Sequence, residues 1–429
     1  MKSSLSRRFA VTLFLFSLVG QIAWVVENMY FNVFLYKMFH ATPDAISAMV
    51  SASAVAAAVT TVFMGALSDK VGKRKLFIWL GYVLWGLSII GFLFLNRSTL
   101  SALFPAATSI AAIGVTLTVV LDCVMTFFGS TANDAAFNAF VTDATEEGNR
   151  GKAEGINAMM PLIAILVVFG SFMFFDLDRE ESWRAIFLII GTFVMLVGVV
   201  GLFLIREPQI TPSREGYFKS VLYGFFPSTV KKNPTLYLTL LAFLIFNVSI
   251  QIFMPYLILY YEVSLGMKDY VFIMAPAILV AAAVTFFWGR VYDKKGLFFS
   301  ASLSLTSLVL GYMLLFFFRG TVPVFIGSLL MMIGYLAGMA VFGAHIRSHT
   351  PRGKAGLFQG VRIFSQVLIP GVIGPYVGKL LLANAETVLN SDGTRSFIPN
   401  ATLFLGAAVA AVVLIPFLFL LKNKKGAEK

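Results

Sequence analysis

Long apolar stretches separated by short polar segments run along almost the whole chain. A helix rises about 1.5 Å per residue and the hydrocarbon core of a bilayer is about 30 Å thick, so a span needs roughly 20 apolar residues. Twelve stretches reach that length, in two sets of six on either side of a polar interval. We therefore predict an all-α membrane protein of twelve transmembrane helices in two six-helix halves. The predicted spans are residues 9–36, 45–67, 76–95, 111–140, 153–175, 185–205, 236–261, 270–288, 297–318, 322–342, 357–382 and 401–421.

The polar interval between the two sets predicts the domain organisation. We expect an N-terminal six-helix half at 1–205, a cytoplasmic linker at 206–234 and a C-terminal six-helix half at 235–429. Most of the 33 Lys and Arg residues fall in the segments that lie inside if both termini are cytoplasmic. The positive-inside rule therefore predicts cytoplasmic termini, and it explains the net charge of +12 without a nucleic-acid partner.

Composition supports a membrane environment. The chain is 59% hydrophobic and 13% charged, with a mean hydropathy of +0.86, which is more apolar than a soluble domain of this size requires. Its single cysteine, Cys123, excludes an internal disulfide. The basic start leads into an apolar run without a cleavage pattern, which predicts an uncleaved first helix. We expect a multi-pass protein of the bacterial inner membrane.

Two short motifs recur at equivalent places in the halves. The loop after the second span reads GALSDKVGKRK from residue 65, and the loop after the eighth reads GRVYDKKG from residue 289. The sequence RGKA stands before both the fifth and the eleventh span, at 150–153 and 352–355. In the first pair the shared positions are Gly65, Asp69 and Gly72, and Gly289, Asp293 and Gly296. This pattern is typical of transporters built from two parallel repeats.

The first loop resembles the signature of the major facilitator superfamily, G-x-x-x-D-[RK]-x-G-[RK]-[RK], which lies between helices two and three. The resemblance implies the twelve-helix major facilitator fold and secondary transport by alternating access. It also implies that the repeated loop acids and Arg74 belong to the gate, and that Gly65 and Gly289 permit close helix contact.

A narrower likeness covers two helices. The segments GQIAWVVEN at 20–28 and residues 133–151 are similar to sucrose:proton symporters and, more distantly, to glycoside:cation symporters. The sugar-porter signature after helix six is absent, and the G-x-x-x-G-P-x-x-G run typical of antiporters is missing from helix five, although GVIGPYVG occurs at 371–378. The likeness implies a sugar or glycoside substrate and a coupling proton or sodium ion.

Two acids stand out inside predicted spans, Glu27 in helix one and Asp122 in helix four. An acid at the centre of a bilayer costs roughly 2.5–3.5 kcal/mol on insertion scales, which favours a function for it. Helical spacing places Thr126, Ser130 and Asn133 on the face of Asp122. We predict that Glu27 and Asp122 bind cation or substrate; a structural pair of neutral acids is the alternative.

Further candidates lie near these acids and in the second half. Trp24, with Tyr30 or Phe31, would supply a flat apolar surface for a sugar ring, and Asn28 lies beside Glu27. In helix seven the candidates are Asn247, Gln251 and Tyr256, with Pro255 able to open the helix. Polar amides in membrane helices also serve simply to bind other helices, so both interpretations remain open for Asn247 and Gln251.

Asp134 and Arg362 lie at comparable depth in opposite halves, and we predict a gating ion pair between them. Snorkelling of Arg362 to the headgroups is the alternative.

Other function classes lack support in the sequence. No phosphate loop, nucleophile arrangement or metal-like spacing is present, and His40, His345 and His349 lie near helix ends. We expect a monomeric protein that is not an enzyme, with a small-molecule substrate, the lipid bilayer as its surroundings and no cofactor beyond the coupling ion. Export of drug-like or amphipathic compounds, and a non-transporting receptor role, remain as alternatives.

Overall fold

A computed structural model describes residues 5–145, 147–207, 222–351, 355–390 and 393–427. Eleven helices in these ranges are long and apolar enough to cross a membrane, and one of them, Val271–Phe317, contains 47 residues. At about 1.5 Å per residue that helix is twice as long as a bilayer requires. Gly296 breaks it with φ 78° and ψ −177°, a conformation open to glycine because it has no Cβ. The described chain therefore holds the twelve predicted spans.

We number these spans α1 to α12. They are α1 (Arg7–Phe39), α2 (Pro43–Val71), α3 (Arg74–Phe94), α4 (Ile110–Asp143), α5 (Glu147–Phe172), α6 (Glu180–Leu204), α7 (Pro234–Ser264), α8 (271–295), α9 (297–317), α10 (Thr321–His349), α11 (355–381) and α12 (Thr402–Asn423). Short helices at Arg97–Leu103 and Pro227–Lys232 precede α4 and α7. Strands β1 (Thr387–Leu389) and β2 (Arg395–Phe397) pair antiparallel between α11 and α12.

Within the described residues, four spans contain π-helical turns that the sequence pattern did not predict, among them α7 at Tyr260–Ser264 and α11 at Phe364–Leu368. α1 widens at Val26–Tyr30, and α4 widens at Ser130–Phe137. A π turn places more residues in each turn than an α-helix and occurs frequently at functional sites. The segment in α4 lies inside the predicted span at 111–140.

The described residues divide into two compact units. One lies within Met1–Ala41 and Ala52–Val221, and the other within Thr42–Ser51 and Leu222–Lys429. The first part of α2 thus groups with the second unit. The predicted linker at 206–234 lies partly outside the described residues, at 208–221, so its boundaries stay a prediction.

Each unit has its own aromatic and small-residue packing. In the first, Phe31 and Phe92 lie 4.7 Å apart between ring centroids. There α3 crosses α6 so closely that a Cβ on Gly86 would lie 2.5 Å from the Gly191 carbonyl oxygen. In the second, a Cβ on Gly311 of α9 would lie 2.4 Å from the backbone amide nitrogen of α10 at position 331. Small residues at such crossings let membrane helices gain van der Waals contact that larger side chains would prevent.

Candidate substrate and cation site

A carboxylate and two hydroxyls from three helices meet inside the first unit. Ser53 of α2 donates to Oε1 of Glu27 in α1 at 2.6 Å, and Thr126 of α4 donates to the same oxygen at 2.9 Å. The two hydroxyl oxygens are themselves 2.9 Å apart. Glu27 is 7% exposed and Thr126 is fully buried. Glu27 is thus fixed in the interior through one of its two oxygens.

Glu27 lies within the π turn of α1. Within and after this turn, the Asn28 amide donates to the Trp24 carbonyl at 2.7 Å, and the Asn32 amide donates to the Asn28 carbonyl at 3.1 Å. These bonds satisfy backbone acceptors next to the irregular turn, as buried polar groups require. Asn28, predicted to bind substrate, is exposed and uses its amide group on its own helix.

Asp122 lies one helical turn before Thr126 and is 1% exposed. Its Oδ1 and the Oε2 of Glu27 are buried without a hydrogen-bond partner among the described residues. Glu27 and Asp122 interact electrostatically, and Ser53 interacts with both side chains. Two acids with unpartnered oxygens form a place where a proton or a small cation would remove an unfavourable buried charge.

Asp134 is the third acid of this region. It lies in the π-helical segment of α4, is half-buried, and accepts a hydrogen bond from Ser130 at 3.0 Å. Its charge acts on Glu27 and on Tyr82. Within the described chain, no Lys, Arg or His pairs with Asp134, Glu27 or Asp122.

Two tryptophans border the acids. The rings of Trp24 and Trp85 lie 4.9 Å apart at 46°, and both indole N–H groups lack an acceptor among the described residues. The Trp24 indole interacts with Asp134 without forming a regular hydrogen bond. A Cβ on Gly129 would lie 2.7 Å from Trp85 and 2.9 Å from Trp24, so this glycine makes space for the pair.

The two segments with the narrower likeness meet in space. Asn133 covers Gly20 so closely that a Cβ there would lie 1.7 Å from its amide nitrogen. Asn133 donates to the Tyr82 hydroxyl at 3.0 Å, and Tyr82 donates to the Phe16 carbonyl at 2.7 Å. Asn133 therefore has a packing role between α1, α3 and α4.

Tyr30 and Phe31 do not offer the flat surface expected of them. Both are buried, Tyr30 against Phe172 at 4.1 Å and Phe31 against Phe92. Of the three aromatic residues proposed for a sugar ring, only Trp24 is half-buried beside the acids.

The candidates in α7 lie within the second unit. Asn247 donates to the Phe243 carbonyl of its own helix at 2.7 Å, and Gln251 packs against Gly374 of α11. Tyr256 is fully buried, and its hydroxyl lies 3.3 Å from the Pro43 carbonyl. A 3₁₀ turn at Met254–Tyr256 opens the helix where Pro255 stands. Substrate binding by Asn247, Gln251 and Tyr256 stays a prediction.

The first copy of the loop motif forms a charged network. Arg74 is 4% exposed, and its guanidinium donates to Asp143 at 3.0 Å and to the Ser68 hydroxyl. It also pairs with Asp69. The network joins the end of α2, the start of α3 and the end of α4, where Gly72 turns the chain with φ 67°.

The second copy keeps the turn but not the charges. Gly296 has φ 78°, like Gly72, whereas Phe298 stands at the spacing of Arg74. Asp293 is exposed and forms no ion pair with any described residue. Next to it, the Tyr292 hydroxyl lies 3.0 Å from Nδ1 of His345.

The close helix contact expected at Gly65 and Gly289 is not found. A Cβ on Gly65 would meet only the Ala135 Cβ at 3.9 Å, and a Cβ on Gly289 would meet no described atom within 4 Å. The expectation was wrong for this conformation because no neighbouring backbone approaches either glycine. Arg362 is half-buried and interacts with the charge of Arg347; its pairing with Asp134 stays a prediction.

Sequence reasoning missed Ser53, Trp85 and Asp143. Ser53 is one of several serines in α2, so only its contact with Glu27 distinguishes it. Trp85 lies in an apolar run and carries no signal of its own. Asp143 ends α4, and its pairing with Arg74 spans 69 positions of sequence.

Comparison with protein families matches residues 9–375 to the Major Facilitator Superfamily. A comparison with proteins of curated function finds no match to this sequence. Solved structures with the same fold include a bacterial homolog of the human lysosomal transporter Spinster in an inward-facing, occupied conformation. It is 16% identical with a TM-score of 0.69, and the match covers 98% of each chain.

Two other solved structures give similar matches. A mutant of the nucleoside transporter NupG is 14% identical with a TM-score of 0.70, over 96% of this chain and 99% of that one. The xylose transporter XylE from E. coli, in a partially occluded inward-open conformation, is 14% identical with a TM-score of 0.68, over 95% and 98%. These identities establish the fold, and the family match extends over most of the chain. The protein belongs to the major facilitator superfamily.

Proposed function

We propose that the protein is a cation-coupled symporter that moves a sugar or glycoside by alternating access, with Glu27 and Asp122 as its coupling site. The observation that carries this proposal is the pair of acids buried in α1 and α4, each with an unpartnered oxygen and without a basic partner in the described chain. The resemblance of 20–28 and 133–151 to sucrose and glycoside symporters supports the solute class.

The charge pattern supports a proposal for the topology of the protein. We propose that both termini lie in the cytoplasm, because the inside loops then hold most Lys and Arg. A monomer in the bacterial inner membrane completes the proposal. Solved structures of the same fold include xylose and nucleoside transporters, whose solutes carry several hydroxyl groups. This supports a polar, hydroxylated solute for the present protein.

Coupling follows from the cost of buried charge. An unneutralised carboxylate in low dielectric opposes closure of the protein around the site. A proton or sodium ion on Asp122 removes this cost, so the closed, solute-loaded state becomes accessible when both ligands are bound. Ser53 and Thr126 hold Glu27 in place during this step.

The first prediction tests Asp122 as the coupling acid. In proteoliposomes, Asp122→Asn should keep counterflow exchange but lose accumulation driven by proton or sodium gradients, because a permanently neutral residue no longer responds to the cation. Glu27→Gln should weaken solute affinity more than coupling, since its neighbours Trp24 and Asn28 are the residues predicted to bind the solute.

The control is Glu181→Gln, a side chain that is 78% exposed at the start of α6 and should leave both assays unchanged. Full gradient-driven accumulation by the Asp122→Asn protein would rule out Asp122 as the coupling acid. A wild-type protein that responds to neither gradient with any of a panel of sugars and organic ions would overturn symport itself. Gradient-driven efflux in place of uptake would identify an exporter.

A further inference from the structure

Three acids in the first unit share one feature: among the described residues, only acids and neutral groups interact with them. Glu27 interacts with Asp122 and Asp134, while Ser53, Thr126 and Ser130 supply hydroxyls. One proton or one monovalent ion compensates a single charge. Because an uncompensated charge is costly at membrane depth, a second positive charge would further stabilise this region.

Accessibility separates the three acids into two groups. Glu27 and Asp122 are more than nine-tenths buried, as expected for a site that encloses a small ion. Asp134 is half-buried, and so is Trp24, whose indole interacts with it. Asp134 is therefore the most accessible of the three acids.

The surroundings of Asp134 suit a cationic nitrogen. Ser130 holds its Oδ2 at 3.0 Å, and Trp24 lies beside it with its ring supported by Trp85 at 4.9 Å. A cation over an indole ring gains attraction from the ring quadrupole, and a carboxylate adds a charge-assisted hydrogen bond. Together these groups favour a protonated amine over a neutral group of equal size.

The unpartnered indole N–H groups add a second requirement. Trp85 carries a buried N–H without an acceptor among the described residues, and the N–H of Trp24 interacts with Asp134 without forming a regular hydrogen bond. Buried donors are satisfied in nearly all proteins, and an ammonium group has no lone pair to offer them. A hydroxyl oxygen on the same ligand would accept from one of them.

We infer that the transported solute is a hydroxylated amine of the amino-sugar type, with its protonated nitrogen bound between the Asp134 carboxylate and the ring of Trp24. This inference rests on the proposed function and narrows its solute class. Glu27 and Asp122 remain the cation site, and Asp134 becomes a solute-binding residue.

The test compares amines with neutral partners of similar shape. Purified protein in nanodiscs at pH 6.5 is titrated with glucosamine against N-acetylglucosamine, and with 2-amino-1,3-propanediol against glycerol, following thermal stability and tryptophan fluorescence. The amine of each pair should bind about tenfold more tightly, in keeping with a desolvated cation–π contact. Asp134→Asn should remove the preference, Trp24→Leu should reduce it, and Trp24→Phe should retain most of it.

Glu181→Gln serves again as the matched control, and it should keep the full preference. Equal affinity within both pairs would overturn the inference, as would a preference that persists in Asp134→Asn. Failure of all four compounds to bind a folded protein would also overturn it. None of these results affects the accumulation assay with Asp122→Asn, so failure of the inference is distinct from failure of symport.

Discussion

Arg74 concentrates several interactions in one buried side chain. Its guanidinium contacts Ser68, Asp69 and Asp143 on the ends of two different helices. Arginine suits this position because its planar group presents several donors in fixed directions, which lysine cannot do. The network therefore depends on the geometry of the side chain as well as on its charge.

We predict that Arg74→Ala lowers the free energy of unfolding by about 1–3 kcal/mol. This is less than the loss of a fully buried ion pair would cost, because Asp69 and Asp143 are partly exposed. Arg74→Lys should lose part of that amount. Thermal unfolding of purified protein in detergent measures both changes. The exposed neighbour Lys73→Ala is the control, and equal melting temperatures for Arg74→Ala and Lys73→Ala would contradict the proposed role of the network.

At the residue scale, the sequence identifies the acids of the candidate site better than the residues that form hydrogen bonds with them. Glu27 and Asp122 are identifiable because a charge in an apolar span is rare and costly. Ser53 is not, since a serine in a membrane helix can also bond to its own backbone. Only the fold shows that Ser53 contacts Glu27 across 26 positions of sequence.

Helix crossings in both units depend on glycines that leave no space for a side chain. A Cβ on Gly86 would lie 2.5 Å from backbone atoms of α6, and a Cβ on Gly311 would lie 2.4 Å from backbone of α10. Backbone atoms cannot rotate away as a side chain can, so the helices themselves would have to separate.

Gly86→Ala and Gly311→Ala should each destabilise the protein by about 1–3 kcal/mol through overpacking. Gly170→Ala in α5 is the matched control, because a Cβ there meets no described atom within 4 Å. That variant should be neutral or slightly stabilising, since alanine is the better helix former. The melting temperatures of the three variants test this prediction. An equally large fall in melting temperature for Gly170→Ala would show that overpacking at the helix crossings does not cause the destabilisation.

At the element scale, the spans follow from length and hydropathy, but their internal irregularities do not. The long stretch at 111–140 indicates a helix with additional residues without revealing the π segment at Ser130–Phe137. The strands Thr387–Leu389 and Arg395–Phe397 were also missed. Three-residue strands are too short for an alternating pattern to emerge from the sequence.

The internal repeat is preserved in backbone conformation and altered in charge. Gly72 and Gly296 both have positive φ at the same place in the motif. Asp69 pairs with Arg74, whereas Asp293 is exposed and has no ion pair in the described chain. The two loop acids are therefore not equivalent in this conformation.

We predict that Asp69→Asn and Asp293→Asn both shift the protein toward an inward-open state without abolishing solute affinity, and that the shift is larger for Asp69→Asn. Spin labels at Lys152 and Lys294, on a Cys123→Ala background, report the change as longer distances. Unchanged distances in both mutants would remove the gating role, and equal shifts would contradict the asymmetry.

At the scale of the molecule, the twelve spans and the superfamily could be predicted because each depends on a local sequence pattern. The spans depend on long apolar stretches and the superfamily on the loop motif that begins at Gly65. The major facilitator fold is confirmed by the family match over residues 9–375. The joining of Asp143 to Arg74, and of Ser53 to Glu27, could not be predicted because each depends on how helices pack.

The π turn at Val26–Tyr30 has a genetic consequence. One extra residue in a helix rotates everything beyond it by about 100°, because an α-helix has 3.6 residues per turn. Deleting a single codon within the turn would therefore restore a regular helix and turn either Glu27 or the residues after it away from their present neighbours. A substitution changes one side chain of this site and leaves the helix in register. A one-codon insertion or deletion rotates the helix and can create or abolish the whole site in one evolutionary step.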